Sequence, residues 1–400
     1  MLRCLTLSAV LAAVSLSAVN ATTIDLKPIN GKTGAYMKGA ADAHRARAAI
    51  LKRNAGSNDI SIPATNLEYM QYTASIGVGN PPTYYELVID TGSSNTFVGT
   101  GKPYVRTNTS ISTGQPVNVT YGTGFFSGYE FYDQVTIAPD FVITNQSIGN
   151  AINSSSFEGV DGIIGVGPVD LTQFTLATEP NATIPTVLDN ALAQGLISQQ
   201  VLGVSFAPAD SNSSINGKLT FGGADDELYF GDIAYTPITS TFPASLYWGV
   251  NVSATYGLQT IIPDSYAGIV DTGTTLIYIA DDWYQSYLDA IPGSYYDSNT
   301  TGLTVIPHDQ ADFLAPFTVM VAGQPLILDA AAQLLPKDQN EVWGGEKHLR
   351  YGYIGPMGSD SGKGLDFIIG QKFMERFYAV FDQANSRVGF AYTNHTFSLP

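Results

Sequence analysis

The sequence predicts a mostly-β protein built as two related halves, and three observations carry that reading. Short apolar-alternating runs are punctuated by Gly, Pro, Asn and Ser throughout residues 60–400. The composition, with 40 Gly, 23 Tyr and 19 Phe, suits strands and tight turns. One motif occurs twice, in corresponding places of the two halves. At 400 residues the chain is too long for one compact core and fits two lobes.

The amino end reads as a targeting segment. Arg3 precedes an apolar stretch from Leu5 to Val19, too short to span a bilayer, and Val19-Asn20-Ala21 offers a small-residue cleavage site. Residues 1–21 are therefore expected to be a signal peptide, and the single cysteine, Cys4, leaves with it. Residues 22–53 form a basic stretch that is Ala-rich and helical around Ala35–Leu51 and ends in the pair Lys52-Arg53. A dibasic pair beside the polar run Asn54-Ala55-Gly56-Ser57-Asn58 reads as a processing site, which makes 22–53 a pro-segment, with a boundary up to about residue 63. A disordered leader is the competing reading of the same stretch.

Charge separates this segment from the rest. Residues 1–53 hold eight of the 18 Lys/Arg and two of the 35 Asp/Glu, which leaves 10 basic and 33 acidic groups, a charge of −23, in residues 54–400. Such a body repels nucleic acid and anionic lipid. A basic pro-segment can dock on it and come off as carboxylates protonate. No later run is long and apolar enough for a membrane helix, so neither nucleic acid nor membrane is expected as a partner. Nine N-x-S/T sequons in the body, at Asn108, Asn118, Asn145, Asn153, Asn181, Asn212, Asn251, Asn299 and Asn394, fit passage through a secretory lumen. The expected product is secreted, or vacuolar as the alternative.

Strands are expected over Glu68–Gly77, Tyr84–Ile89, Gln115–Tyr121 and Glu130–Ile137. Helices are expected over Pro185–Gly195, with Pro near the start and Gly at the end, and over Ala280–Ile291. The division into lobes is placed at 54–235 and 236–400.

The repeat carries the chemistry. Leu87-Val88-Ile89-Asp90-Thr91-Gly92-Ser93-Ser94 returns as Gly268-Ile269-Val270-Asp271-Thr272-Gly273-Thr274-Thr275. Each copy has its own later partner, Asp161-Gly162-Ile163-Ile164-Gly165 and Asp366-Phe367-Ile368-Ile369-Gly370. An aspartate at the end of a buried apolar strand is rigid and partly desolvated. Gly92 and Gly273 allow another backbone to come close. The hydroxyls of Thr91, Ser93, Thr272 and Thr274 can donate hydrogen bonds that fix the loops and carboxylates. If a pseudo-twofold brings Asp90 and Asp271 together, like charges a few ångströms apart split their titration, and the pair keeps one shared proton over an acidic window. The ionised member can then take a proton from water while the other polarises a carbonyl.

These motifs, with Tyr121-Gly122-Thr123-Gly124 and Arg376-Phe377-Tyr378-Ala379-Val380-Phe381-Asp382, resemble the pepsin-like aspartic proteases (peptidase family A1), in particular their secreted fungal members. The likeness runs from about Pro63 to the end. It implies a bilobal pepsin-like fold with the cleft between the lobes and an endopeptidase cutting beside large hydrophobic residues. By resemblance Asp90 and Asp271 are the catalytic pair and Thr91 and Thr272 brace their loops. Tyr121, Gly122 and Thr123 would form the tip of a flap over the substrate, and Ile163, Tyr247, Ile269 and Thr275 would line the substrate site. No cofactor or metal is implied, the partners are polypeptide substrates and the chain's own pro-segment as inhibitor, and a monomer is expected.

Two departures stand out. Phe97 replaces a usual Trp, which removes an indole N–H able to bond the flap tyrosine. Gln371 stands where an acid is common, at a position expected to be remote from the chemistry. Some related fungal enzymes accept lysine before the cut bond and resemble one another in an aspartate at the position of Thr123, so poor cleavage after lysine is expected here. The alternatives are a catalytically silent pepsin-like binding protein, a secreted glycosidase, which predicts neither Asp-Thr-Gly copy, and a zinc enzyme, for which the four histidines supply no H-E-x-x-H. Gly358-Ser359-Asp360-Ser361-Gly362-Lys363 matches neither a phosphate-binding loop nor G-x-S-x-G and reads as a solvated loop.

Overall fold

A computed structural model describes residues 21–28, 37–53, 72–121, 124–157, 159–208, 216–264 and 266–398. Residues 1–20, expected to be signal peptide, the region 54–71 that holds the expected processing boundary, and Gly122 and Thr123 lie outside the described residues.

The first half opens with strand β1 (Thr22–Pro28) and helix α1 (Ala40–Arg53). Strands β2 (Tyr72–Val78), β3 (Thr83–Asp90), β4 (Phe97–Val98), β5 (Ile111–Thr120), β6 (Phe125–Ala138), β7 (Phe141–Ser155) and β8 (Gly162–Gly165) follow. Helix α2 (Val187–Ala193) then leads to β9 (Val201–Ser205), β10 (Gly217–Phe221) and β11 (Phe230–Pro237). β6 and β7 are far longer than the short runs expected from sequence. Their register shifts at three bulges, which absorb the Gly and Asn residues that read as breakers. α2 is one turn shorter than expected because Thr186 caps it: its hydroxyl accepts from the Asp189 N–H while Asp189 reaches back to the Thr186 N–H.

The described residues form a sheet of 13 strands that ties both halves together. Strands Phe377–Asp382 and Arg387–Tyr392, from the end of the chain, join it between β9 and β11, and β1 is inserted between β10 and β2. The second half adds a smaller sheet in which Gly249–Asn251, Ala267–Val270, Phe367–Ile369, Ile277–Ile279 and Ile354–Pro356 lie side by side, and helix α3 (Asp281–Asp289) packs near it. This is the mostly-β, bilobal fold expected from sequence.

The repeat explains itself at this level. β3 runs parallel to β8, setting Ile89 beside Ile164 and Asp90 beside Gly165. Ala267–Val270 runs parallel to Phe367–Ile369 in the same way, with Val270 beside Ile369. Each Ile-Ile-Gly is thus the strand that fixes its own aspartate, and Gly162–Gly165, Ala267–Val270 and Phe367–Ile369 consist of apolar residues and glycine and are buried throughout.

Several acids of the first lobe are buried, Glu130 among them. Glu130 on β6 is buried and accepts a hydrogen bond from the Ser147 hydroxyl at 2.8 Å. Burial pushes its pKa up from 4.5 to about 7, the Ser147 bond opposing. A carboxyl whose folded pKa is raised adds stability below its unfolded pKa and loses it as pH rises through the folded one, a swing of about 3 kcal/mol. Glu130→Gln is expected to remove that swing. Denaturant midpoints at pH 4 and pH 8 check it, and a variant as alkali-sensitive as the parent counts against it.

Candidate active site

The two Asp-Thr-Gly turns meet back to back. The Thr91 N–H donates to the Thr272 hydroxyl oxygen at 3.0 Å and the Thr272 N–H to that of Thr91 at 2.9 Å. Each hydroxyl in turn donates across the join, Thr91 to the Val270 carbonyl and Thr272 to that of Ile89. Four reciprocal bonds between residues about half a chain apart hold the turns as one rigid block. Around it, the Asp90 carboxylate accepts from the Gly92 N–H at 2.9 Å and the Ser93 hydroxyl at 2.5 Å. The Asp271 carboxylate accepts from the Gly273 N–H at 2.9 Å and the Thr274 hydroxyl at 2.6 Å. A Cβ on Gly92 would come within 2.6 Å of an Asp271 oxygen, and one on Gly273 within 2.5 Å of an Asp90 oxygen. The glycines are therefore what lets the two carboxylates face each other.

A cation from the amino-terminal segment sits between them. Arg47 on α1 donates from Nη2 to Asp90 at 2.7 Å and to Asp271 at 3.1 Å, and from Nε to Asp271 at 2.9 Å. All three side chains are buried or nearly so. Burial lifts the Asp90 pKa above the usual carboxylate range, the neighbouring Asp271 adding to it while Arg47 opposes. Burial also works against ionising Asp271, but the charge and hydrogen bonds of Arg47 outweigh it and hold that carboxyl below the usual range. With the guanidinium in place, one carboxyl is thus biased towards its proton and the other kept ionised.

α1 is held along its whole length. Ala40, Ala43, Ala48 and Leu51 bury one face against Ile269, Tyr278 and their neighbours. Tyr278 donates its hydroxyl to the Ala41 carbonyl and Tyr247 to the Leu51 carbonyl, each at 3.0 Å, while Lys52 bonds the Ser359 hydroxyl. Lys52 of the dibasic pair is thus tied to the loop that holds Ser359. Sequence reasoning left open which basic residue reaches the aspartates. The available signal was register: Arg47 is a lone cation on the buried stripe that includes Ala40, Ala43 and Leu51.

The expected site residues distribute as follows. Ile163 is buried on β8 with Val88, Phe97 and Tyr121. Ile269 and Tyr247 are buried under α1, and Thr275 is buried in the second turn. Tyr121 ends the β5–β6 hairpin, its N–H bonded to the Gly124 carbonyl at 2.6 Å. Its ring stands edge-on to Phe157 at 5.6 Å, and its buried hydroxyl has no hydrogen-bond partner among the described residues. Phe97 instead stacks on Phe126 at 3.9 Å, so the Trp-to-Phe departure keeps the packing and loses the donor. Gln371 overturns its expectation of remoteness. It is buried and donates its amide to the Thr272 carbonyl at 2.7 Å, because the strand before it runs beside the Asp271 strand.

This arrangement, two braced Asp-Thr-Gly turns in a bilobal β fold, defines an aspartic peptidase, a hydrolase acting on polypeptides. The chain belongs to the eukaryotic aspartyl protease family, whose model matches residues 71–393. It is 50% identical over 336 residues to polyporopepsin of Irpex lacteus, covering 84% of this chain and 98% of that one. It is 29% identical over 388 residues to gastricsin of Cavia porcellus, covering 90% of each. The crystal structure of the aspartic proteinase from Irpex lacteus superposes with a TM-score of 0.79 at 50% identity, over 82% of this chain and 96% of that one.

Proposed function

We propose that the chain is the precursor of a secreted acid endopeptidase in which Asp90 and Asp271 are the catalytic pair and residues 22–53 are a self-inhibiting pro-segment. The observation that carries this reading is the single guanidinium bonded to both carboxylates. With α1 gone, the pair shares one proton. A water between the carboxyls gives a proton to the ionised member as its oxygen attacks the peptide carbonyl, and the protonated member donates to the carbonyl oxygen. Collapse of the tetrahedral intermediate passes a proton to the amine and breaks the C–N bond, with no covalent enzyme intermediate.

Passage through the secretory route is supported by the eight described sequon asparagines, all exposed, Asn212 lying outside the described residues. No helix among the described residues is long and apolar enough to cross a membrane. Tyr121, Ile163, Tyr247 and Ile269 support pockets that gain by burying large side chains, roughly 1.5–3 kcal/mol each. Thr123 brings no charge to the flap, so lysine before the cut bond would be desolvated without a counter-ion.

Digestion of acid-denatured globin, with and without pepstatin and with cleavage sites mapped by mass spectrometry, tests the reading. Expected are an acid optimum, full inhibition, and cuts beside Phe, Leu, Tyr or Met. An optimum at or above neutrality removes the shared-proton reading; enrichment of lysine before the cut removes the specificity.

A further inference from the structure

A second ionisable residue of α1 points into the protein one turn before Arg47. His44 is 2% exposed, and its ring meets the Tyr278 ring edge-on with centroids 6.5 Å apart. Among the described residues, the charged and titratable groups that face it are Arg47 on its own helix, Asp271 across the cleft, and Tyr278 from the strand beneath. Asp90 is bonded to Arg47 as well. A proton on His44 would therefore place a second cation in a dry site whose carboxylate is already bonded to Arg47 twice.

We propose that His44 is the acid trigger of this precursor: its protonation, rather than that of the catalytic carboxyls, drives α1 out of the cleft as the medium is acidified. The inference rests on the pro-segment reading above. Burial, with the charge of Arg47 adding to it and Asp271 opposing, lowers the His44 pKa from 6.5 to about 3 while the helix is docked. A histidine whose pKa is depressed by docking leaves docking at full strength above pH 6.5 and weakens it progressively from there down to about 3. At pH 4.5 the docking equilibrium falls by about 100-fold from this residue alone.

The carboxyls are poor triggers over the same range. Asp271 is held below the ordinary carboxylate range by Arg47, so it resists protonation until the medium is strongly acidic. The proton that Asp90 favours is carried by the pair in the open enzyme too, so binding it does not distinguish the docked from the released state. The ion pairs Arg45–Asp42 and Lys27–Glu86 are partly or largely exposed and contribute little.

The test is the rate at which the full-length precursor, purified at pH 7.5, becomes able to bind fluorescent pepstatin after a pH jump. This reports cleft opening independently of later cuts. The wild type is expected to open rapidly near pH 4.5 and His44→Gln more than 10-fold more slowly, with its midpoint about one pH unit or more lower. An unchanged midpoint overturns the proposal. Should His44→Gln open already at neutrality because the helix packs badly, the His44 ring signal of the wild-type precursor in an NMR titration decides instead. A ring that titrates near 6.5 while docked overturns the proposal, and one that stays neutral until opening supports it. The mature enzyme lacks His44, so a mature form inactive on denatured globin refutes the underlying reading, whereas an active one with an unshifted H44Q precursor refutes only the trigger.

Discussion

Asp271→Asn in the mature enzyme is expected to lower kcat on denatured globin by about 10³-fold or more, and Asp90→Asn to do the same. The double variant should be hardly worse than either, because the pair works as a unit and one amide already forbids the shared proton. The side chains are isosteric: the amide oxygen can still accept from the Gly92 or Gly273 N–H, and the amide NH2 can donate to the Ser93 or Thr274 hydroxyl, which turns acceptor. Circular dichroism and thermal midpoint are therefore expected to stay near those of the parent. Steady-state rates on all three variants at acid pH check this. Near-native turnover by either single variant would withdraw the assignment.

Arg47→Met is expected to release the precursor from latency. The variant leaves two buried carboxyls facing each other with no cation, and breaking a buried pair by removing one partner costs about 3–5 kcal/mol. That is about two to four powers of ten in the docking equilibrium. The uncut Arg47→Met precursor should then cleave a quenched fluorescent peptide at mildly acid pH where the parent is silent. Arg47→Lys, which keeps a charge but cannot span Asp90 and Asp271 with a planar fork, should fall between. Initial rates, with amino-terminal sequencing to show that the chain is uncut, decide the matter. A silent Met variant means that α1 blocks the cleft by packing and not by its guanidinium.

The parts of the site legible in the sequence were those fixed by local constraint. Asp90 and Asp271 could be found because each sits in a turn that tolerates only Gly two residues on, and the duplicated Ile-Ile-Gly marked the strand beside each. Arg47 was not legible, since the eight basic residues of 1–53 look alike until the register of α1 selects one for the buried face. Gln371 was misread as remote because 99 positions separate it from Thr272, a distance that one parallel strand pair closes. Likewise the true lengths of β6 and β7 depend on bulges, and a bulge residue has the same signature as a turn residue until its partner strand is known.

β1 has a consequence of another kind. Its residues Thr22 to Leu26 pair with Phe221 to Gly217, and Lys27 and Pro28 pair with Thr73 and Tyr72, so part of the proposed pro-segment is a middle strand of the largest sheet among the described residues. Maturation as proposed extracts that strand and leaves two backbone edges without the partner they were assembled around. The mature protein is then an object whose shape records a step it cannot repeat. On that reading its persistence is expected to be governed by how slowly it comes apart rather than by a reversible balance, and its useful life to be better expressed as a half-life than as a melting point.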